Sequence, residues 1–221
     1  MKRHIVFDLD GTLVDSLPGI AEGVNRALQA LGLPGHSQQS ISRMIGSGAA
    51  NLCGMALGYV DAAHTPPDEL AAMHEQFRRF YPECWQYPLT RAYPWVANML
   101  TLLSAEGAEL AVLSNKPHEV TEPMVRAIFP HIPFTTILGY TGKFPRKPAP
   151  DALQYIAAQW GVPVNEITLV GDSLYDARTA QNAGCDLALV AWGYAEVSDL
   201  VTWPAPVFGS VDELRHYLLN S

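Results

Sequence analysis

The sequence predicts an α/β fold: a doubly wound parallel sheet flanked by helices, with an all-helical insertion near its start. Three observations predict it. The apolar run His4 to Phe7 stops at Asp8-Leu9-Asp10-Gly11-Thr12; residues 16–88 carry helical periodicity without a convincing strand; and from residue 89 onward short apolar runs alternate with amphipathic stretches. Strands separated by single helices pair in parallel, and right-handed crossovers put helices on both faces of the sheet. Residues 1–15 and 89–221 are therefore expected to form the sheet domain and 16–88 the helical insertion.

Taken in order, His4 to Phe7 reads as a buried strand that ends in a functional turn. Leu17, Ile20, Val24, Leu28 and Leu31 form a helical stripe closed by Gly32. Ile41, Met44 and Ile45 suggest a helix before Gly46-Ser47-Gly48, and Ala49 to Leu57 another. Pro66-Pro67-Asp68 opens a helix with Leu70, Met73, Phe77 and Phe80 on one face, and Pro82 is expected to end it. Then come a helix at Val96 to Leu103, a strand at Leu110 to Leu113, a helix at Glu119 to Phe129 and a strand at Thr135 to Leu138. The rhythm repeats with a helix at Ala152 to Trp160, a strand at Thr168 to Val170, a helix near Ala177 to Ala183, a strand at Leu187 to Val190 and a closing helix at Val211 to Leu219.

Composition narrows the function. With 14 basic and 22 acidic residues the formal charge is −8, which argues against nucleic acid or an anionic membrane as partner. At 48% hydrophobic and 16% charged residues, the 221-residue chain has the makings of a compact core and needs no disulfide staple. Cys53, Cys84 and Cys185 are odd in number and far apart, the pattern of free thiols in a reducing compartment, so a cytoplasmic location is expected. The first apolar run, broken by Asp8, is too short for a signal-peptide core or a membrane span. The seven histidines show no metal-ligand spacing.

Ligands of such sheets bind outside the carboxyl ends of the strands, and four polar clusters fall there. In Asp8-Leu9-Asp10-Gly11-Thr12, a period of two along extended chain places Asp8 and Asp10 on one side. Two carboxylates held together need a cation or a shared proton, and Mg²⁺ with oxygen ligands is the simplest answer. A calcium loop of the EF-hand type is excluded, because Leu13 and Gly19 stand where it needs Gly and Glu. Ser114, in Leu113-Ser114-Asn115-Lys116, offers a hydroxyl to a phosphate oxygen. In Arg146-Lys147-Pro148-Ala149-Pro150-Asp151 the prolines stiffen the chain and present Lys147 as a point charge. In Gly171-Asp172-Ser173-Leu174-Tyr175-Asp176, Asp172 can join Asp8 and Asp10 around a metal; Asp176 is equally a helix-start acid or a partner of the metal or of Lys147.

Together, DLDGTLVDS (Asp8 to Ser16), LSNKP (Leu113 to Pro117), RKPAPD (Arg146 to Asp151) and VGDSLYD (Val170 to Asp176) resemble the four motifs of the haloacid dehalogenase superfamily, along essentially the whole chain. The helical block after the first motif resembles that superfamily's inserted helical cap, and Tyr93-Pro94 followed by a helix also fits the resemblance. The wording is most similar to phosphoglycolate phosphatases. The resemblance implies a Rossmann-like core, Asp8 as nucleophile, Asp10 as general acid and base, and Mg²⁺ held by Asp8, the Asp10 backbone carbonyl and Asp172. It further implies that Ser114 and Lys147 bind phosphoryl oxygens, with Asn115 nearby and Asp176 steadying the site. Asp10 separates the chain from dehalogenases, which lack an acid there.

Substrate choice is expected in the cap, from Arg43 toward a carboxylate and from the Gly46-Ser47-Gly48 loop. The expected substrate is a small phosphorylated metabolite, with 2-phosphoglycolate first. A β-phosphoglucomutase-like phosphomutase, a phosphatase for a sugar phosphate, nucleotide or pyrophosphate, and a catalytically silent binding protein stay open, as do monomer and homodimer.

Overall fold

The computed structural model describes residues 1–86 and 88–220. The chain divides into two compact units, Met1–Val14 with Ala92–Ser221, and Asp15–Arg91. Its elements in order are β1 (His4–Phe7), β2 (Val14–Asp15), α1 (Leu17–Ala30), α2 (Gln38–Ser42), α3 (Ala49–Ala56), a 3₁₀ turn at Ala62–His64, α4 (Pro67–Cys84) and β3 (Arg91–Ala92). There follow α5 (Val96–Ala105), β4 (Glu109–Pro117), α6 (His118–Ile128), β5 (Thr136–Tyr140), α7 (Asp151–Trp160) and a 3₁₀ turn at Val164–Glu166. The last are β6 (Ile167–Gly171), α8 (Leu174–Ala183), β7 (Asp186–Val190), α9 (Val197–Leu200), β8 (Val207–Phe208) and α10 (Val211–Asn220). Among the described residues no helix is long and apolar enough to cross a membrane.

The larger unit is built on a six-stranded parallel sheet of order β5-β4-β1-β6-β7-β8. The central strands carry apolar runs, Ile5–Phe7, Leu110–Leu113 and Leu169–Val170, because both faces are covered there. Val6, Ala111 and Leu169 pack with Leu153, Ile156 and Ala180 of α7 and α8. Alternation sends Ile5, Phe7, Leu110, Val112 and Val170 to the opposite face, where they are as fully buried. β1 lies between β4 and β6, and the chain builds outward from it first in one direction and then in the other. That reversal opens a crevice at the carboxyl end of β1. Register then sets the neighbours: Phe7 stands beside Val112 and Val170, so Asp8 emerges level with the end of β6 and with Leu113, where β4 passes into its polar stretch.

In the Asp15–Arg91 unit, Ile20, Val24 and Leu28 of α1 and Met73, Phe77, Tyr81 and Cys84 of α4 are the buried stripes. Gly23 faces the Phe77 and Tyr81 rings, which stack at 4.8 Å. The apolar face of α4 turns through Tyr81, leaving the expected Phe80 half-buried. Pro82 does not end α4, which runs on to Cys84. So near a C-terminus a proline removes a single ladder bond, and the last carbonyls find other donors: Cys84 Sγ to Phe80 O and Gln86 Nε2 to Pro82 O.

β4 is also longer than expected. It continues past Leu113 through Ser114-Asn115-Lys116 to Pro117, with a register shift against β5, so these polar residues lie within the strand. The segments β2, β3, α9 and β8 are too short to leave a periodic signal in the sequence.

Candidate active site

β1 ends at Phe7, and the Asp8 N–H donates to Val170 O at 2.8 Å, which carries Asp8 one step beyond the sheet. The chain then turns at once. Gly11 takes φ +85, a left-handed conformation, and its N–H bonds Val14 O at 2.9 Å. The chain already bends at Leu9, between the two acids, so the strict extended alternation that would put Asp8 and Asp10 in one ligand cluster does not hold. The carboxylate oxygens that lie within 4.8 Å of one another belong to Asp8, Asp172 and Asp176, all buried. Both oxygens of Asp10 instead accept from Lys116 Nζ, at 3.0 Å each.

Asp172 follows β6 directly. Its carboxylate is oriented by the Thr12 hydroxyl at 2.9 Å and the Tyr194 N–H at 2.8 Å. Asp176 fills both of the roles open to it. It closes a capping box at the start of α8, its Oδ2 accepting from the Ser173 N–H and hydroxyl, and its Oδ1 accepts from Lys147 Nζ at 2.6 Å. Gly171 allows that approach, since a Cβ there would occupy the space of the Asp176 carboxyl. Lys147 Nζ also reaches Asp8 Oδ1, at 2.8 Å.

Ser114 is buried beside these groups, its Oγ accepting from the Lys116 N–H at 3.3 Å. Asn115, expected near a phosphoryl oxygen, engages the Lys147 main chain with both ends of its amide. Of the residues expected to choose the substrate, Arg43 is exposed at the C-terminus of α2, and Gly46 and Gly48 take φ +115 and +95 on either side of Ser47; all belong to the Asp15–Arg91 unit.

Charge explains the electrostatics. Burial, reinforced for Asp172 by Asp8 and Asp176, pushes the carboxyl of Asp8 up to about 7 and that of Asp172 up to about 8. Lys147 moves the other way: burial opposes its charge, yet Asp176 and Asp8 outweigh it and hold the ammonium above its ordinary range. Once all four carboxyls are ionised, Asp8, Asp10, Asp172 and Asp176 face two ammonium groups, Lys116 and Lys147, and two negative charges are left over; burial together with that excess is why Asp8 and Asp172 hold protons when no cation is bound. An all-oxygen donor set with that excess fits one hard divalent cation.

Lys116 is the residue that sequence reasoning overlooked. The signal was arithmetic: four strand-end acids against Lys147 alone call for a second cation, and Lys116 stands in the same motif as Ser114. Thr12 and the Tyr194 main chain carry no such signal, because their roles depend on where the fold brings Asp172.

Residues 5–190 match the haloacid dehalogenase-like hydrolase family. The phosphoglycolate phosphatase of Escherichia coli (strain K12) is 32% identical over 230 residues, covering 96% of this chain and 90% of the relative. That of Mannheimia succiniciproducens is 35% identical over 197 residues, 87% of each. A crystal structure titled "predicted phosphoglycolate phosphatase" from Haemophilus somnus superposes with a TM-score of 0.86 at 32% identity, over 97% of both chains. The chain thus belongs to the haloacid dehalogenase-like hydrolases. Within that family it is a phosphatase.

Proposed function

We propose that this chain hydrolyses a small phosphomonoester, best 2-phosphoglycolate, through an aspartyl-phosphate on Asp8. The observation that carries the reading is Lys147 Nζ at 2.8 Å from Asp8 Oδ1, with Asp172 and Asp176 closing the group. Asp8 attacks phosphorus while the ester P–O bond breaks and Asp10 protonates the departing oxygen. Water then attacks the phosphorus of the aspartyl-phosphate and gives its proton to Asp10, the bond to Asp8 breaks, and inorganic phosphate leaves. The Lys147 ammonium and the Ser114 hydroxyl orient the phosphoryl oxygens and offset their charge, which is most of what phosphoryl transfer demands. Asp8, Asp172 and the main-chain carbonyl of Asp10 would hold Mg²⁺, which supplies further charge neutralisation on the phosphoryl group. Asp176, engaged by Lys147 and Ser173, steadies the arrangement.

The choice of 2-phosphoglycolate is supported by the activity after which the curated relatives are named. The helical unit is assigned the role of cap, and Arg43 with Gly46-Ser47-Gly48 the recognition of the substrate's carboxylate. Hydrolysis of p-nitrophenyl phosphate should require Mg²⁺ and vanish in Asp8→Asn; unchanged turnover in that variant overturns the mechanism. A panel of 2-phosphoglycolate, hexose phosphates, nucleotides and pyrophosphate tests the substrate. Faster transfer to a sugar phosphate than to water would instead make the chain a mutase.

A further inference from the structure

The Lys147 segment poses a mechanical problem. Lys147 carries its ammonium on a flexible four-carbon stem and must hold it at 2.8 Å from Asp8 and 2.6 Å from Asp176. The stretch that bears it, Arg146-Lys147-Pro148-Ala149-Pro150, belongs to neither a helix nor a strand, and Pro148 and Pro150 have no N–H to donate. A local turn bond, the Ala149 N–H to Arg146 O at 2.9 Å, shapes the segment but ties it to nothing else, so the main-chain polar groups of Lys147 itself are its direct tether to the sheet. Both go to one side chain: the Lys147 N–H donates to Asn115 Oδ1 at 2.8 Å, and Asn115 Nδ2 donates to Lys147 O at 3.0 Å. This reciprocal pair has the pattern of a single rung of sheet ladder, made by a side chain. Asn115 is buried and stands on β4, whose pairing with β1 ties it to the strand that delivers Asp8.

We infer that Asn115 is a positioning residue for Lys147, not a phosphate ligand: it sets the distance between the ammonium and Asp8 by clamping the lysine's main chain to the sheet. Further tethers hold the flanks beside that turn bond: Arg146 stacked 3.4 Å over the Tyr140 ring and Asn182 Nδ2 donating to Pro148 O at 2.8 Å. None of them engages Lys147 itself. A lysine displaced by about 1 Å serves the transferring phosphoryl group poorly, at a cost approaching a hundredfold in rate.

The catalytic consequence rests on the proposed phosphatase mechanism; the clamp itself does not. Two measurements keep them apart. Amide exchange at Lys147 should be slow in the wild-type protein and fast in Asn115→Ala, while the melting temperature shows that the variant is folded; unchanged exchange overturns the clamp whatever the activity. In kinetics, Asn115→Ala should lower kcat/KM for p-nitrophenyl phosphate by roughly 10- to 100-fold, with the Mg²⁺ concentration for half-activity unchanged. In a Lys147→Arg background the same substitution should add no more than about twofold, the non-additivity of residues acting through one group. Equal losses in both backgrounds would show that Asn115 meets the phosphoryl group itself and overturn the inference. A wild-type chain that hydrolyses no phosphate ester would defeat the proposed function and leave the exchange experiment to decide the clamp.

Discussion

The two units treat buried polarity in opposite ways. The sheet unit encloses Asp8, Lys116, Lys147, Asp172 and Asp176, whereas in the Asp15–Arg91 unit no charged side chain is buried among the described residues, the buried polar ones being Ser16, Thr65 and Thr90. Taking an ion out of water costs several kcal/mol even after relaxation, and pairing returns only part of it. The helical unit shows that this chain can build a stable interior without that cost, using apolar stripes on α1 and α4. The charges of the sheet unit are therefore tolerated for chemistry, and stability and activity should respond to different residues.

The sharpest division is expected from Asp8→Asn, which should lower kcat by at least about four orders of magnitude while leaving far-UV circular dichroism unchanged. Loss of the fold in that variant would break the comparison. Its counterpart is Phe77→Ala, whose ring is 5% exposed between α1 and α4. Urea denaturation should show a loss of about 3–5 kcal/mol, with Mg²⁺ affinity unaltered.

A smaller and opposite effect is expected at Asp172. Because its folded-state pKa lies near 8 and that of Asp8 near 7, both above the ordinary carboxylate value, the folded protein retains protons that the unfolded chain releases near pH 4. In EDTA, stability should therefore fall as the pH rises from about 4 to 8. Added Mg²⁺ replaces those protons and should flatten the decline, raising the melting temperature more at pH 8 than at pH 5. Asp172→Asn should stabilise the metal-free protein at pH 8 by on the order of 1 kcal/mol and abolish the Mg²⁺ response; a variant that still responds would remove Asp172 from the metal site.

The smallest effect concerns backbone strain away from the charges. Trp95 holds φ +68, is 72% exposed and is the one non-glycine residue at positive φ among those described. Glycine takes that conformation without a Cβ clash, so Trp95→Gly should raise stability by about 1 kcal/mol in thermal melts and leave phosphatase activity intact.

Much of this was legible from residues 8, 147 and 172 because each combines a local rule with a chemical one. A strand buried on both faces reads as an unbroken apolar run, so β1, β4, β6 and β7 announced themselves, and a carboxylate or ammonium placed where such a run ends is conspicuous. Pro82 misled because a proline marks a helix end by a rule that is strict only in the helix interior. Asp10 misled because the period of two holds only while the chain stays extended, and it bends at Leu9, between the two acids.

From the sequence alone came the class of fold, the family and the side chains that can do chemistry, since these depend on periodicity and residue type within a few positions of one another. Tertiary structure alone decided the partnerships: Lys116 with Asp10, 106 residues apart, Asn115 with the Lys147 main chain, and Asp176 completing a group with Asp8 and Asp172. The reason is geometric, for an ion pair or a hydrogen bond is set by distances of about 3 Å, and which strand ends come that close depends on the order and register of the whole sheet.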